Sequence, residues 1–172
     1  SVVNPSEWFI LKSGGSNGEY DYNVFGIRAA PSRFISGVGI ADIVLPEDYD
    51  GDGKADIAVW RNGQSTADPQ SYFYIINSSD ATVSILPFGT RNDIAYIPGD
   101  YDGDGKADLA VWRPGTNAAP QSTFYVLRSS DGKFVGADFG LRTDRPVPGD
   151  FDGDGKQDFS VFRIDTVANE AT

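Results

Sequence analysis

The chain lacks three residue types that carry much of protein chemistry: its 172 residues include no cysteine, no histidine and no methionine. Without cysteine it can form neither a disulfide nor a zinc-thiolate site. Without histidine it lacks the most common general base and the most common ligand of transition metals. A serine or threonine nucleophile would have no histidine partner. We therefore expect that the protein is not an enzyme.

Long apolar runs and positive charge are also scarce. No run of about 18 apolar residues is present, so we expect no membrane span. The 14 basic residues are outnumbered by 25 acidic ones, and the net charge of −11 makes nucleic acid a poor partner. A hydrophobic share of 40% is ample for a folded core. The chain begins at Ser1 rather than methionine, and we expect a processed mature form, as left by a removed signal peptide, or an excised fragment.

What the chain does contain is an acidic nonapeptide written three times. "DYDGDGKAD" begins at Asp48 and again at Asp100, and "DFDGDGKQD" begins at Asp150, at spacings of 52 and 50 residues. The three copies hold 12 of the 25 acidic residues. Three divalent cations would therefore change the net charge from −11 to about −5.

The spacing of the aspartates predicts calcium loops. A hard cation needs several oxygens at about 2.3–2.6 Å, and alternate residues of a tight loop can point their carboxylates inward. The two glycines of each copy permit the sharp turn. We predict ligands at positions one, three, five and nine and a backbone carbonyl at position seven. These are Asp48, Asp50, Asp52, Lys54 and Asp56; Asp100, Asp102, Asp104, Lys106 and Asp108; and Asp150, Asp152, Asp154, Lys156 and Asp158, each lysine acting through its carbonyl.

Two other interpretations of the nonapeptide are weaker. The helix–loop–helix calcium motif needs a glutamate at position twelve, where this chain has Val59, Val111 and Val161. An acidic surface turn that binds nothing would explain one copy, but not three copies in the same register. We therefore predict strand–loop–strand calcium sites.

The rest of each repeat predicts β-structure. No segment shows a long apolar period of 3.6 residues, while short runs rich in valine, isoleucine and aromatics alternate with glycine, proline, asparagine and aspartate. "IAVWR", "LAVWR" and "FSVFR" follow the three loops and are apolar on both faces, as in strands buried between packed sheets. The fold class is therefore all-β, with about four strands in each repeat of about 50 residues.

The segments "GDYDGDGKADLAVWRPG", "FYVLRSSDG" and "FG" resemble the FG-GAP (VCBS-type) repeats of integrin-α-like β-propellers. The resemblance implies four-stranded antiparallel blades with one structural calcium ion in the loop between a blade's first two strands. It also implies a secreted or cell-surface protein that acts in adhesion, carbohydrate binding or matrix assembly. Such propellers commonly have about seven blades, whereas this chain has material for three.

The strand count predicts incomplete blades at both ends of a single repeat domain, residues 1–172. We expect a half blade at about 7–26, blades at about 42–89 and 93–140, and a half blade at about 144–164. Exposed sheet edges are avoided in soluble proteins. We therefore predict a homo-oligomer or polymer in which the N-terminal half blade completes a neighbour's C-terminal half blade, forming a ring, filament or tube.

Two features remain open at the level of sequence. The connection at 27–41, with Arg28, Arg33 and Phe34, is longer than its counterparts and is either a lengthened loop or an interface. The aromatic residues Trp60, Trp112 and Phe162 recur at one position, which favours packing inside a blade over stacking on a sugar. A secreted adhesion or lectin-like module that binds a glycan or a cell-surface ligand, or a fragment of a larger propeller, is the alternative function.

Overall fold

A computed structural model of the chain describes residues 5–11, 20–27, 42–117 and 119–164, and every regular element in these ranges is a β-strand. The all-β prediction is confirmed. The strands are β1 (Pro5–Leu11), β2 (Tyr20–Ile27), β3 (Ile43–Val44), β4 (Ile57–Arg61), β5 (Gln70–Ile76), β6 (Val83–Thr90), β7 (Leu109–Arg113), β8 (Gln121–Leu127), β9 (Phe134–Leu141), β10 (Arg145–Pro146) and β11 (Val161–Phe162). Within the described ranges no helix could cross a membrane.

The chain divides into two compact units, residues 1–91 and 92–172. The first unit contains the two-stranded sheet β1-β2 and the four-stranded sheet β3-β4-β5-β6. Every pairing is antiparallel between strands adjacent in sequence, as short turns rich in glycine, asparagine and aspartate predict. The four-stranded sheet has the strand count that the repeat predicts.

The second unit contains the three-stranded sheet β7-β8-β9 and the two-stranded sheet β10-β11. A first strand for β7 is reduced to two isolated bridges, Ile94–Trp112 and Gly99–Asp108. In the first of them the amides and carbonyls of Ile94 and Trp112 exchange two hydrogen bonds of 2.8 Å. The number of blades stays a prediction, and so does the single-domain description.

Strand register makes three positions equivalent. Trp8 on β1 pairs with Asn23, Phe73 on β5 pairs with Leu86, and Phe124 on β8 pairs with Ala137. In each case the partner lies two residues before the phenylalanine of a Phe-Gly pair, at Phe25, Phe88 or Phe139. β1, β5 and β8 are therefore the same strand of the repeat, the third.

The second strand of the repeat carries the core in the two larger sheets, as its two-sided apolar pattern predicts. On β4, Ala58, Val59 and Trp60 are completely buried, and Trp112 on β7 is buried equally. In the second unit Trp112 packs with Ile97, Ala110, Phe124 and Val126, and Phe159 and Val161 from the last repeat lie against this cluster. The packing of Trp60 and Trp112 inside the sheets is confirmed.

Phe162 differs from the two tryptophans that it was predicted to resemble. Its side chain is 54% exposed, whereas Trp60 and Trp112 are 0% exposed. β11 pairs with β10 alone among the described residues, so no third strand covers its outer edge there. The long connection, with Arg28, Arg33 and Phe34, lies outside the described residues.

Candidate metal-binding loops

The three nonapeptides form the same loop, and its glycines explain why. The two glycines of each copy all have positive φ values, between 81° at Gly51 and 86° at Gly105. This left-handed region is open to glycine but strained for residues with a Cβ. The loop backbone therefore depends on glycine at positions four and six, and it lies just before the second strand of the sheet.

The aspartate at position one closes the turn on itself. Asp48 accepts hydrogen bonds at Oδ1 from the amide of Gly51 (2.6 Å) and at Oδ2 from the amide of Gly53 (2.8 Å). In the second and third loops, the glycine amides at the same two positions donate to Asp100 and Asp150, respectively. These bonds fix the carboxylate's direction and point the loop amides inward.

The aspartate at position nine joins the loop to the turn that follows the third strand. Asp56 is 1% exposed; its Oδ2 accepts from the amide of Tyr49 at 2.8 Å, and its Oδ1 accepts from the amide of Ser78 at 2.7 Å. Asp108 does the same with Tyr101 and Ser129. Burial raises the pKa of Asp108 above its ordinary value. Because Ser78 and Ser129 follow the third strand, this carboxylate ties three strands together.

The third loop lacks the second of these bonds within the described part of the chain. Asp158 accepts from the amide of Phe151 at 2.9 Å, the counterpart of the Tyr49 and Tyr101 bonds. No described residue provides the bond that Ser78 or Ser129 provides elsewhere, because no third strand follows β11 there. This loop has the shape of the other two without their link to a third strand.

Positions one, three and nine bring three carboxylates together in every loop. One oxygen from each carboxylate lies within 4.8 Å of the others in the sets Asp48, Asp50 and Asp56; Asp100, Asp102 and Asp108; and Asp150, Asp152 and Asp158. Three like charges this close repel one another strongly unless a cation neutralises them. Each set could hold a metal ion through oxygen ligands, which suits a hard cation.

Position five lies outside these clusters. Asp52 accepts from the amide of Lys54 at 2.8 Å and from its ammonium at 2.9 Å. In the second loop Asp104 accepts from the amide of Lys106 at 2.9 Å and from the hydroxyl of Ser129 at 2.8 Å. Asp154 accepts from the amide of Lys156 at 2.9 Å. Ligation by position five and by the carbonyls of Lys54, Lys106 and Lys156 stays a prediction.

Sequence analysis missed the serine pairs that support the loops. The hydroxyl of Ser79 donates to Asp50 at 2.7 Å, and that of Ser130 donates to Asp102 at 2.5 Å. Desolvation opposes ionisation of Asp102, but its bonds from Ser130 and Arg128 outweigh it and hold the pKa below the ordinary value. The available signal was a Ser-Ser dipeptide that recurs at one place after the third strand, at 78–79 and 129–130.

Sequence analysis also missed an arginine–aspartate clamp at the base of each loop. Each clamp is bidentate, with both donor–acceptor distances between 2.7 and 2.9 Å, and joins Arg61 to Asp42, Arg113 to Asp93, and Arg163 to Asp144. Such paired geometry is among the stronger charged interactions. The missed signal was an arginine at a constant distance after every nonapeptide.

The clamps have two further consequences. The hydrogen bonds from Arg163 lower the pKa of Asp144 to about 2. The guanidinium carbons of Arg61 and Arg113 also lie 4.3 and 4.7 Å from the ring centres of Tyr74 and Tyr125, so each arginine contacts the third strand through a cation–π interaction.

These features define an all-β repeat protein whose sheets carry an acidic loop between their first two strands. The family model of the FG-GAP-like repeat matches residues 48–111 and 100–161, which together span most of the 172-residue chain. The chain belongs to the FG-GAP-like repeat family, and its sheets are β-propeller-like blades. No curated protein and no solved structure matches the chain.

Proposed function

We propose that the protein is a calcium-stabilised structural protein that works outside the cell and assembles with copies of itself. The calcium part is supported by the carboxylate clusters. Oxygens on opposite sides of one calcium ion lie about 5 Å apart, since each lies about 2.3–2.6 Å from the ion. The carboxylate oxygens of positions one, three and nine lie within 4.8 Å of one another, so their spread fits one shared ion.

Calcium would supply positive charge and an oxygen-ligand centre, and the chain's own residues would convert this into stability. Position nine is held by the loop on one oxygen and by the turn after the third strand on the other, as at Asp56. Ordering the loop therefore also orders the joint between the first hairpin and the third strand. An ion that binds only the folded loop, at about a hundred times its dissociation constant, stabilises it by about 2.7 kcal/mol.

The assembly part is carried by the contrast between Phe162 and its two counterparts. A position that is 0% exposed at Trp60 and Trp112 is 54% exposed at Phe162, beside a strand whose outer edge has no described partner. β10-β11 supplies the first two strands of a blade, and β1-β2 supplies the last two. We propose that these half blades join head-to-tail between copies.

The geometry of the joint decides the product. Three blade equivalents closed within one chain would fall below the usual range of about four to eight blades. Two copies could close a six-bladed ring, and a rotation that does not close would produce a filament or tube. In this proposal the protein is a scaffold rather than an enzyme, and its partner is another copy of the same chain.

The test compares the protein in excess calcium with the protein in a calcium chelator. We expect calcium to raise the melting temperature and to produce rings or filaments in electron microscopy and masses above the monomer in mass photometry. Magnesium at equal ionic strength is the control for simple charge screening. A melting temperature and mass distribution that do not change with the chelator would contradict the proposal.

A second candidate function is adhesion or carbohydrate binding, which exposed aromatic side chains favour. Tyr96 and Phe151 are 68% and 71% exposed, and aromatic rings can stack on sugar faces. Trp60 and Trp112 are buried and do not offer such a surface. A glycan array in calcium tests this function: a specific signal that Tyr96→Ala or Phe151→Ala abolishes would favour it, and an empty array would reject it.

A further inference from the structure

Each sheet that has a second and a third strand carries one tryptophan and one phenylalanine directly opposite each other. Trp60 on β4 pairs with Phe73 on β5, and Trp112 on β7 pairs with Phe124 on β8. The tryptophan is always on the second strand. Its indole N–H crosses the third strand and donates to the carbonyl of the Phe-Gly phenylalanine on the fourth, at 3.1 Å to Phe88. The counterpart bond, to Phe139, is 3.4 Å long.

The N-terminal half blade carries the tryptophan on the other strand. Trp8 lies on β1, a third strand, at the register position that Phe73 and Phe124 occupy. Its indole N–H nevertheless donates to the equivalent carbonyl, that of Phe25, at 3.2 Å. The carbonyl that a second-strand tryptophan satisfies in the other sheets is therefore satisfied here from within the half blade.

The C-terminal half blade carries the reciprocal change. Phe162 on β11 lies four residues after the last aspartate of its loop, as Trp60 and Trp112 do. Its first-strand partner, Arg145, directly follows the clamp aspartate, just as Ile43 does in its pairing with Trp60. A second strand that carries phenylalanine offers no indole N–H, and it would need none beside β1.

We infer that β10-β11 of one copy and β1-β2 of a second copy form one four-stranded blade in which Phe162 lies opposite Trp8. This inference rests on the proposed head-to-tail assembly and names the residue pair that makes it specific. The completed blade pairs one tryptophan with one phenylalanine at this position, as the other sheets do, with the two residue types exchanged between the second and third strands. It also covers the exposed ring of Phe162.

The exchange would select the correct partner. If β11 docked on a third strand of the ordinary kind, such as β5, two phenylalanines would meet and the Phe-Gly carbonyl would have no indole donor. If β4 docked on β1, two tryptophans would compete for one space and one carbonyl. An unpaired buried carbonyl or an overpacked core each weakens association by a factor of five or more, at about 1 kcal/mol or above.

The third loop is consistent with this arrangement. In the first two loops the position-nine aspartate accepts an amide from the turn that follows a third strand, at Ser78 or Ser129. Among the described residues Asp158 accepts only the amide of Phe151. A third strand provided by a second copy would bring such a turn to Asp158.

The experiment uses Trp8→Phe, Phe162→Trp, the double variant, and an equimolar mixture of the two single variants, all in excess calcium. We expect each single variant to raise the concentration at half-assembly, measured by light scattering or mass photometry, about fivefold or more. The double variant restores the ordinary arrangement and should assemble within about twofold of the wild type. The mixture should also recover, because the Trp8→Phe end of one chain can meet the Phe162→Trp end of the other.

A second measurement leaves both aromatic residues in place, in case Trp8→Phe does not fold. The register of Arg61 with Tyr72 places Arg163 opposite Glu7 in the completed blade. The chain has no cysteine, so Glu7→Cys and Arg163→Cys chains can be mixed and oxidised without background. We expect a disulfide-linked dimer in calcium, and the out-of-register mixture of Glu7→Cys with Ser160→Cys should yield little.

The outcomes separate this inference from the proposed function. A wild type that stays monomeric in calcium would overturn both. A wild type that assembles while the single effects simply add in the double variant would overturn the aromatic pairing and leave the assembly standing. Recovery in the double variant but not in the mixture would contradict contact between the Trp8 end of one chain and the Phe162 end of another.

Discussion

β4 and β11 are the same strand of the repeat in two states of completion. Both follow an acidic loop, and an arginine at the end of β4 or directly after β11 clamps the aspartate before the first strand, Asp42 or Asp144. β4 lies between β3 and β5, whereas β11 pairs with β10 alone among the described residues. The loop and the clamp therefore form from the first hairpin alone, while burial of the central aromatic residue requires the third strand.

The comparison separates two kinds of stability. Hydrogen bonds and charge set the loop locally, so they are present in all three copies. Apolar burial depends on neighbours and is present where a third strand pairs with the second, as at Trp60 and Trp112. The predictions below change one residue of a matched pair, and the expected effects run from the largest to the smallest.

The largest expected difference between β4 and β11 is in the stability lost when the central aromatic residue is truncated. Trp60→Ala should lower the free energy of unfolding by about 3–5 kcal/mol, because it opens a cavity in a fully buried site. Phe162→Ala should cost less than about 1 kcal/mol in dilute, unassembled protein, since its ring is more than half exposed. Urea unfolding at low concentration measures both. Equal losses would break the comparison.

Removing one position-nine carboxylate should show whether the complete blade holds its ion more tightly. In calcium at about a hundred times the dissociation constant, Asp108→Asn should lose about 2.7 kcal/mol of stabilisation. Asp158→Asn should lose less, because the third loop lacks the bond from a third strand. In a chelator Asp108→Asn should still cost about 1–3 kcal/mol, because asparagine has one acceptor oxygen for the two amides, of Tyr101 and Ser129, that donate to the buried Asp108.

Calorimetric titration provides the check on this pair. Each variant should bind one calcium ion fewer than the wild type, and the ion lost in Asp158→Asn should be the weakest. Identical calcium stoichiometry in the wild type and in both variants would show that these carboxylates are not ligands.

Gln157 tests how the β10-β11 hairpin is held against the preceding repeat. Its side-chain amide lies 3.4 Å from the carbonyls of Ile97 and Pro98 and from the hydroxyl of Tyr101. Gln157→Ala, which copies the other two loops, should cost about 1 kcal/mol. Ala55→Gln, at the equivalent exposed position of the first loop, is the matched control and should change the stability by no more than about 0.5 kcal/mol. An unchanged unfolding midpoint in Gln157→Ala would remove Gln157 from the account.

Acid should gradually weaken the clamp between Arg163 and Asp144 in the β10-β11 hairpin. Hydrogen bonding from Arg163 lowers the folded-state pKa of Asp144 to about 2, below the ordinary value of 3.8. The ionised carboxylate therefore adds stability that is complete above about pH 4 and is lost as the pH falls through about 2. In a calcium chelator, the free energy of unfolding of Asp144→Asn should decline less over that pH window than that of the wild type. Parallel stability curves would contradict the clamp's role.

Much of the fold could be predicted from sequence because the repeat carries local signals. Glycines at fixed places set the loop backbone, and the two-sided apolar pattern of "IAVWR" placed Trp60 in the core. These features depend on neighbours in sequence. The strand type, the loops and the burial of both tryptophans follow from them.

The parts that sequence analysis missed depend on residues that meet only after the hairpins form. Arg61 and Asp42 are 19 residues apart, and Ser78 lies 22 residues from Asp56. The exposure of Phe162 was missed for a related reason. The apolar pattern around Phe162 predicts burial, but burial requires a third strand. The residues of β11 do not indicate whether that strand is present.

Hydrogen exchange of β4 and β11 tests the central claim most directly, because it compares the two strands in one sample. In calcium, the amides of 57–61 should be protected at every protein concentration, since this strand is paired on both sides. The amides of 159–164 should exchange quickly in dilute protein and become protected at concentrations where larger masses form. Protection of 159–164 that is independent of concentration, or its absence in the assembled protein, would contradict completion of this blade by a second copy.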